Sequence, residues 1–261
     1  MSNIDLDFQS VVQQIMRDGD TTETRNGTVK RSFYPFTFRC DSAPLVGWRK
    51  INHHLGLREM ESFVNAADEI EDLDPSIRKW WEPTSKNGHL GHDWYSDFYG
   101  ADLPLVINSL RDDPFGRRHL FSAWELYSMM SRAEGGFLPN CHSTVSQFYV
   151  SNDKKLHYKT YQRSADVMLG LPYNLIQHWA LLEYVAYMTE LEVGTMSYML
   201  GDAHIYESHW KAADKLAKAL RIPDNTGKLV YVPSDDKFQA SDFTVVGDFE
   251  FPIKDKLKME V

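Results

Sequence analysis

The sequence predicts an α+β protein, which we expect to form a single domain over residues 1–261. Helical and strand periodicities both occur, and several strand-like segments are grouped in hairpins with helices between them. Strand and helix do not alternate regularly, as they would in a parallel βαβ succession. No internal repeat and no long Pro-, Gly- or Ser-rich linker divides the chain, so we expect one core.

The first half of the chain is predicted to hold three helices and one strand region. The segments with apolar residues at helical spacing are Asp5–Arg17, Leu57–Leu73 and Leu103–Leu110. The turn Arg25–Thr28 leads into a β-branched and aromatic run that ends at Phe38. Pro35 lies inside this run and indicates an edge strand or a bulge.

The second half is predicted to be richer in strands. Segments of strand length and composition are His119–Trp124, Thr144–Val150, Leu156–Tyr161, Leu229–Val232 and Phe243–Phe251. Leu171–Thr189 begins with Pro172 and is apolar nearly all round, which is typical of a buried central helix. Ser208–Leu220 has the spacing of a more ordinary amphipathic helix.

Composition restricts the classes of function. The 261 residues are 43% hydrophobic and 25% charged, which excludes a disordered, collagen-like or disulfide-stapled chain. Apolar stretches stop well short of the ~20 residues of a membrane span, and Met1–Asp7 does not resemble a signal peptide, so we expect a cytoplasmic protein. The net charge of −9 argues against broad binding to nucleic acid or an anionic membrane. An anionic ligand would need arginines gathered locally.

Two cysteines, Cys40 and Cys141, are too few for a disulfide framework or a Cys-rich zinc site. Cys141 follows Pro139 and precedes His142 at the start of a predicted strand. A small buried hydrophobic residue is one interpretation. The other is a nucleophile, which requires nearby positive charge to depress the pKa of the thiol.

Two arginine groups could supply that charge: Arg117 with Arg118, and Arg163 with the neighbouring Ser164. Solvated surface charge is the ordinary explanation for each. Guanidinium groups also bind phosphate oxygens bidentately, and a serine hydroxyl can add a donor. Because adjacent residues of a strand point to opposite faces, Arg117 and Arg118 could hold one anion only from a turn or across a subunit boundary.

Three further polar residues have both a structural and a functional interpretation. Asn174 is either a capping amide or a donor–acceptor pair that suits a pyrimidine edge. His204 and Tyr206 fall on one side of an extended segment and are otherwise partly buried aromatics. His204 and His209 have the wrong spacing for one helical face and no carboxylate completes a ligand set, so we predict no metal site.

Together these segments resemble the folate-dependent thymidylate synthases and their pyrimidine hydroxymethylase relatives. The similarity runs in order from Arg25 to Tyr206, and its most specific blocks are Leu138-Pro139-Asn140-Cys141-His142, Gln147–Val150, Tyr161–Asn174 and Gly201–Tyr206. The resemblance implies a mixed sheet covered by helices and a homodimer packed sheet to sheet. It also implies that the phosphate-binding pair Arg117 and Arg118 comes from the partner subunit.

The resemblance also implies roles for individual residues. Cys141 would add to C6 of the pyrimidine, and the catalytic residues would be Cys141, Glu59, Tyr95 and His142. The substrate would be held by Arg25, Arg117, Arg118, Arg163, Ser164, Asn174, His204 and Tyr206. The co-substrate 5,10-methylenetetrahydrofolate would meet Asp166, Trp80, Trp81, Gly170, Tyr173 and Val261. Asn174 complements uracil, whereas related deoxycytidylate enzymes carry Asp there, so we expect dUMP rather than dCMP.

Departures from the synthase pattern bear on the product. Glu61 follows Glu59 as in phage hydroxymethylases, and Gly247–Pro252 differs from the synthase run. These features favour addition of water to the C5 methylene of dUMP, as in phages that replace thymine in their DNA, with the enzyme then in the host cytoplasm. Trp80-Trp81 and Val261 remain compatible with hydride transfer by a synthase. A catalytically silent nucleotide-binding paralogue stays open, and a Cys–His hydrolase is less well supported because no orienting Asn or Asp is identifiable.

Overall fold

The structure is a computed structural model that describes residues 3–90, 95–124 and 144–260. The α-helices in this part of the chain are α1 (Ile4–Asp18), α2 (His53–Val64), α3 (Arg78–Trp81), α4 (Tyr95–Asp112), α5 (Leu171–Met188) and α6 (Trp210–Ala217). Its strands are β1 (Asp20–Thr24), β2 (Gly27–Ser32), β3 (Thr37–Cys40), β4 (Leu120–Phe121), β5 (Val145–Val150), β6 (Lys155–Asp166), β7 (Glu192–Tyr206), β8 (Lys228–Tyr231) and β9 (Phe243–Val246). The predicted α+β class is confirmed. Within these residues, no helix is both long and apolar enough to cross a membrane.

Seven strands form one mixed sheet in the order β1-β2-β7-β6-β5-β4, and β3 also pairs with β7. Strands β6 and β7 are parallel, and every other pairing in this sheet is antiparallel. A parallel pair needs a crossover, and helix α5 supplies it. The β6–α5–β7 unit therefore forms the centre of the fold.

The two faces of the large sheet differ in burial. On one face, Phe148, Tyr158 and Tyr198 are buried, and the Tyr158 hydroxyl lies 2.9 Å from Nδ1 of His178 on helix α5. On the other face, Tyr149 is exposed beside an open depression of about 480 Å³, and Tyr161 is exposed further along β6. The helices therefore cover one face of the sheet. The other face is uncovered and carries both apolar and polar side chains.

Most predicted elements are confirmed, with shifted ends. The prediction of a helix over Leu57–Leu73 was wrong beyond Val64, because Ala66 adopts a left-handed conformation with φ of 57° that ends α2. The apolar spacing continues only because Ala67 still packs into the core. The strand predicted to end at Phe38 is split into β2 and β3, with Pro35 in the break.

Three other predicted segments are longer than the observed elements. His119–Trp124 forms only the short strand β4, and His119 itself is buried with Nδ1 3.1 Å from the Ser109 hydroxyl. The strand predicted over Phe243–Phe251 ends at Val246, because Gly247 follows with φ of 101°. The helix predicted over Ser208–Leu220 is restricted to α6, which a short 3₁₀ turn precedes.

The central position of helix α5 in the core can be tested by substitution of one of its buried leucines. Leu182 has no exposed surface, and Leu182→Ala is expected to lower the free energy of unfolding by about 2–5 kcal/mol, since it removes buried methyl groups and leaves a cavity. Leu220 is fully exposed, and Leu220→Ala is the matched control, with an expected change within about 0.5 kcal/mol. Urea denaturation at one fixed protein concentration measures both. Equal losses in the two variants would contradict the central position of α5.

Candidate active site

Helices α2 and α5 bring a carboxyl group into the interior. They approach closely at Gly56, where a Cβ atom would lie 3.3 Å from the carbonyl oxygen of Tyr173. One turn further along α2, Glu59 is buried, with Trp81 Nε1 donating to Oε1 at 2.8 Å and Gln177 Nε2 donating to Oε2 at 2.5 Å. Burial raises the pKa of Glu59 to about 7, although both donors favour the charged form. The site therefore holds a carboxyl group that changes charge near neutral pH.

A chain of buried hydrogen bonds continues from this carboxyl group to the predicted base-reading residue. Asn174 Nδ2 donates to Gln177 Oε1 at 3.0 Å, and Gln162 Nε2 donates to Asn174 Oδ1 at 3.1 Å. The Tyr198 hydroxyl donates to Gln162 Oε1 at 2.8 Å. A primary amide has two N–H groups and two acceptor lone pairs, and each end of Asn174 uses one of its two in this chain. Asn174 can thus offer a donor and an acceptor side by side.

The predicted folate residues lie mostly together at the end of β6 and the start of α5. Asp166 Oδ1 accepts hydrogen bonds from the backbone of residues 168 and 169 at 3.1 Å, and Gly170 donates its N–H to the Asp166 carbonyl at 3.0 Å. The rings of Trp80 and Tyr173 meet edge to face with centroids 5.7 Å apart. Trp81 is different, because its Nε1 donates to the Glu59 carboxyl group instead.

The predicted sugar-binding pair lies beside this group on β7. His204 is paired with Asp166 across the parallel strands, and its ring meets that of Tyr206 edge to face at 5.3 Å. The pKa of the Tyr206 hydroxyl is raised by burial and by the Asp166 charge, and Arg25 acts in the opposite direction. Arg25 stands in the β1–β2 turn, so this hairpin brings it toward the same end of the sheet.

The predicted phosphate residues are not all brought together within one chain. The Arg163 guanidinium lies over the Trp124 ring, 5.1 Å from its centroid, and Ser164 is next to it on β6. Arg117 and Arg118 are exposed in the turn before β4. The strand registers place Arg118 level with His157, six residues before Arg163 on β6, which is about 20 Å along the strand. One chain cannot close all of these arginines on one phosphate.

Four predicted site residues have side chains outside the part of the chain that the structure describes. Cys141, His142 and Val261 lie outside the described residues, and Tyr95 begins α4 with its side chain outside them. The second cysteine of the chain, Cys40, lies within the described residues. Cys40 is buried in β3, and burial raises its pKa to about 12, so it is unsuited to nucleophilic chemistry.

Glu61 lies on a different side of helix α2 from Glu59. Two residues along a helix correspond to a rotation of about 200°, so Glu59 and Glu61 point in nearly opposite directions. Glu61 Oε2 accepts a hydrogen bond from the Ala240 N–H at 3.3 Å, at the edge of a cleft that Arg58 and Asp74 also line. Glu61 therefore points away from the Glu59 carboxyl group, and its bearing on water addition stays a prediction.

Several residues that complete the site were missed in the sequence. They are Gln162, Gln177, Tyr198, Arg49 and His209. Gln177 could have been found, because it follows Asn174 by three residues on a predicted helix and thus shares its face. Arg49 donates to the carbonyl groups of Met168 and Leu169, both at 2.8 Å. No motif around Arg49 in the sequence predicts these contacts.

His209 connects Asp166 to the last residues described. It has no exposed surface, its Nε2 lies 2.8 Å from the carbonyl oxygen of Lys258, and its Nδ1 lies 3.7 Å from Asp166 Oδ1. Burial lowers the pKa of His209, but Asp166 outweighs this effect and the net pKa is raised. The chain end is thus anchored beside Asp166.

One group of possible metal ligands occurs among the described residues. Asp68, Glu69 and His89 bring ligand atoms within 4.8 Å of one another, and His89 pairs with Glu69 at 2.6 Å. The group is largely exposed and includes neither His204 nor His209, the histidines considered in the sequence. Exposed acidic groups of this kind are common without a metal, so the prediction of a metal-free enzyme stays a prediction.

The Glu59 carboxyl group is buried and is linked through Gln177 to the Asn174 amide. Together with the Trp80–Tyr173 aromatic pair and the Asp166 carboxylate, this is the kind of site that a nucleotide-modifying transferase requires. A family model described as thymidylate synthase matches residues 6–261. The chain therefore belongs to the thymidylate synthase family. This family comprises one-carbon transferases that bind dUMP and use methylenetetrahydrofolate as co-substrate. The family predicted from the sequence is confirmed.

The raised pKa of Glu59 predicts a pH-dependent stability. Because the folded chain binds the Glu59 proton more tightly than the unfolded chain does, the contribution of Glu59 is most favourable at low pH and is lost as the pH rises to about 7. Between pH 5 and pH 8, wild type is expected to lose roughly 3 kcal/mol relative to Glu59→Gln. Urea midpoints at the two pH values measure this difference.

Glu183 provides a matched control on helix α5. Burial raises its pKa to about 7 as well, and Trp179 Nε1 donates to it at 2.6 Å, but it is not part of the Glu59 chain. Between pH 5 and pH 8, wild type should also lose stability relative to Glu183→Gln, because Gln does not titrate. Glu183→Gln should leave turnover intact, whereas Glu59→Gln should lose turnover. A pH-independent stability difference between wild type and Glu59→Gln would contradict the assigned pKa.

Proposed function

We propose that this protein is a deoxyuridylate hydroxymethyltransferase. It would convert dUMP, methylenetetrahydrofolate and water to 5-hydroxymethyl-dUMP and tetrahydrofolate. The observation that carries the proposal is the buried chain from Glu59 through Gln177 to Asn174. It joins a carboxyl group that can exchange a proton near pH 7 to an amide whose donor and acceptor match O4 and N3–H of uracil.

Cys141 is the proposed nucleophile. Its thiolate would add to C6 of dUMP, making C5 electron-rich enough to take the one-carbon unit, and would leave again when the product forms. The chain has two cysteines, and Cys40 is buried with a pKa of about 12. The nucleophile of a thiol mechanism is therefore assigned to Cys141. The positive charge of the Arg163 guanidinium would favour the thiolate form of Cys141 when the two groups lie near each other.

Asp166, Trp80 and Tyr173 form the proposed folate side of the site. Their chemistry fits a pterin and its aminobenzoyl group, since a carboxylate can accept ring N–H bonds and aromatic edges can cover flat rings. The folate supplies the one-carbon unit that becomes attached to C5. The chain's own residues orient the two substrates and hold the proton at Glu59.

Water addition is favoured by the state of Glu59. To form a hydroxymethyl group, a water oxygen bonds to the C5 methylene carbon, the electron pair returns to the ring, and the water gives up a proton. A carboxyl group with a pKa of about 7 can take that proton at neutral pH. Hydride transfer to the same carbon needs no base to activate water, so this pKa supports the hydroxymethyl product.

Thymidylate synthase activity is the second candidate, and one observation favours it. Trp80 and Tyr173 form an aromatic pair, and Arg49 lies over the Tyr173 ring at 5.8 Å from its centroid. Such a cover can exclude water from the C5 methylene, which hydride transfer requires. A synthase would give dTMP and dihydrofolate.

We also propose a homodimer packed through the uncovered face of the large sheet. Val145, Tyr149 and Tyr161 are all exposed on that face, and grouped apolar side chains of this kind mark an interaction surface. Arg118 lies about 20 Å along the strands from Arg163, so the phosphate set is incomplete within one chain. A second copy that contributes Arg117 and Arg118 would complete it.

The product test uses dUMP and methylenetetrahydrofolate in water enriched in oxygen-18. We expect mass spectrometry to find a labelled hydroxymethyl product, with no absorbance change for dihydrofolate, because the new oxygen comes from water. Unlabelled dTMP with one dihydrofolate per product would establish the synthase instead. Cys141→Ser is the control and should give neither product.

A third outcome would identify the catalytically silent paralogue. The chain would then bind dUMP and folate without forming product, and a 5-fluoro-dUMP probe would leave Cys141 unmodified. Full turnover by Cys141→Ser would contradict both enzymatic candidates at once, because each depends on covalent addition to C6.

The dimer is tested by mixing two inactive variants. The double variant Arg117→Ala, Arg118→Ala and the variant Cys141→Ser should each lose activity. After subunit exchange, random pairing makes half of the dimers mixed, with one complete site of two in each, so about one quarter of wild-type activity should return. Steady-state rates before and after exchange measure the recovery.

Arg163→Ala provides the matched control for this mixture, because Arg163 would serve the site of its own chain. Mixed with Cys141→Ser, it forms no complete site in any pairing and should recover no activity. Recovery in this control, or none with the Arg117 and Arg118 variant, would contradict the exchange of arginines between subunits.

A further inference from the structure

We propose that Gln177 is a specificity-determining residue that locks the Asn174 side chain in the orientation that selects uracil over cytosine. The inference rests on the proposed function of the site, since it assumes that Asn174 reads the base. Gln177 has no exposed surface and joins α5 to α2 through its two hydrogen bonds, to Asn174 and to Glu59. Its position between them makes it a positioning residue for both.

The polarity of the chain begins at Glu59. When ionised, a carboxylate can only accept hydrogen bonds, so Gln177 must turn its Nε2 toward Glu59 Oε2. Gln177 Oε1 then faces Asn174 and can only accept, which obliges Asn174 to present Nδ2 to it. The negative charge on Glu59 therefore fixes the orientation of two amide groups in succession.

A second contact fixes Asn174 from its other side. Gln162 Nε2 donates both to Asn174 Oδ1 at 3.1 Å and to the carbonyl oxygen of Ser164 at 2.8 Å. A backbone carbonyl only accepts, so Gln162 cannot turn its own oxygen in that direction without a repulsive contact. Asn174 thus has an acceptor on one side and a donor on the other, and both require the same orientation.

Reversing the Asn174 amide would oppose like groups at both contacts. Its oxygen would face Gln177 Oε1, and its nitrogen would face Gln162 Nε2. Asn174 is only 8% exposed and Gln177 not at all, so little water is at hand to relieve either contact. Buried polar groups left unpaired are costly, and the observed orientation is therefore strongly preferred.

The preferred orientation matches only one of the two pyrimidines. Uracil presents an acceptor at O4 and a donor at N3–H, which Asn174 Nδ2 and Oδ1 complement. Cytosine presents the reverse pattern, an amino donor and a bare N3 acceptor, and would fit only the reversed amide. Without Gln177, the amide loses one of its two constraints and the reversed orientation becomes accessible.

The test compares Gln177→Met with Gln9→Met. Methionine keeps the length of glutamine and loses both hydrogen bonds. Gln9 is also buried and donates two hydrogen bonds, to the carbonyl groups of Leu216 and Ala219, but it lies between α1 and α6, so it controls for general damage. Calorimetric titration with dUMP and with dCMP gives the ratio of the two dissociation constants for each protein.

Gln177→Met is expected to reduce the preference for dUMP over dCMP about tenfold, whereas Gln9→Met should leave it within about twofold. Gln177→Glu should retain the preference, because a carboxylate still accepts from Asn174 Nδ2. A Gln177→Met variant that keeps the wild-type ratio, or that weakens both nucleotides equally, would overturn the proposal. So would a wild-type protein that does not prefer dUMP.

The pH profile of turnover supplies a second measurement. Gln177 donates to the charged form of Glu59 and lowers its pKa, so both Gln177 variants should move the Glu59 limb of the profile to higher pH. Binding and turnover separate the two proposals. If wild type prefers dUMP yet forms no product, the proposed function fails while the binding ratios still decide whether Gln177 acts as a lock.

Discussion

The satisfaction of buried polar groups at the start of α5 is the constraint on which the site depends. Glu59, Gln177 and Asn174 are all buried, so each must find its hydrogen-bond partners among its neighbours. A carboxylate at one end of such a chain imposes one direction on every amide that follows. The requirement for satisfied polar groups is a matter of stability in most cores. Here it also fixes which atoms Asn174 would present to the proposed ligand.

The β6–α5–β7 unit makes this arrangement possible. A parallel pair of strands requires a crossover, and the crossover helix lies on the buried face of the sheet. Asn174 and Gln177 are on that helix, while Gln162 is on β6 and Tyr198 on β7. Helix α2 closes the site from the other side of α5, with Gly56 permitting the close approach that brings Glu59 to Gln177.

The sequence predicts the frame of the fold better than its joints. Helix α5 ends within one residue of its predicted limit, because a helix that is apolar nearly all round has few alternatives. The predicted end of α2 was wrong, because Ala66 adopts a left-handed conformation that an alanine in the sequence does not indicate. The family resemblance pointed to Asn174 and Glu59 but not to the link between them, because Gln177 and Glu59 are 118 residues apart and one sequence does not reveal such contacts.

Under the proposed function, specificity and proton transfer share one physical origin in this site. Burial raises the pKa of Glu59, and the hydrogen bonds from Gln177 and Trp81 counter that rise, so both charge states of the carboxyl group are accessible near pH 7. The charged state fixes the direction of the chain toward Asn174, and the same carboxylate is the group that can take a proton from water. Binding uracil in the preferred orientation and preparing Glu59 to act as a base therefore favour the same protonation state. Cytosine needs the opposite orientation of the Asn174 amide. That orientation is disfavoured when Glu59 is charged, which is the state in which Glu59 can act as a base.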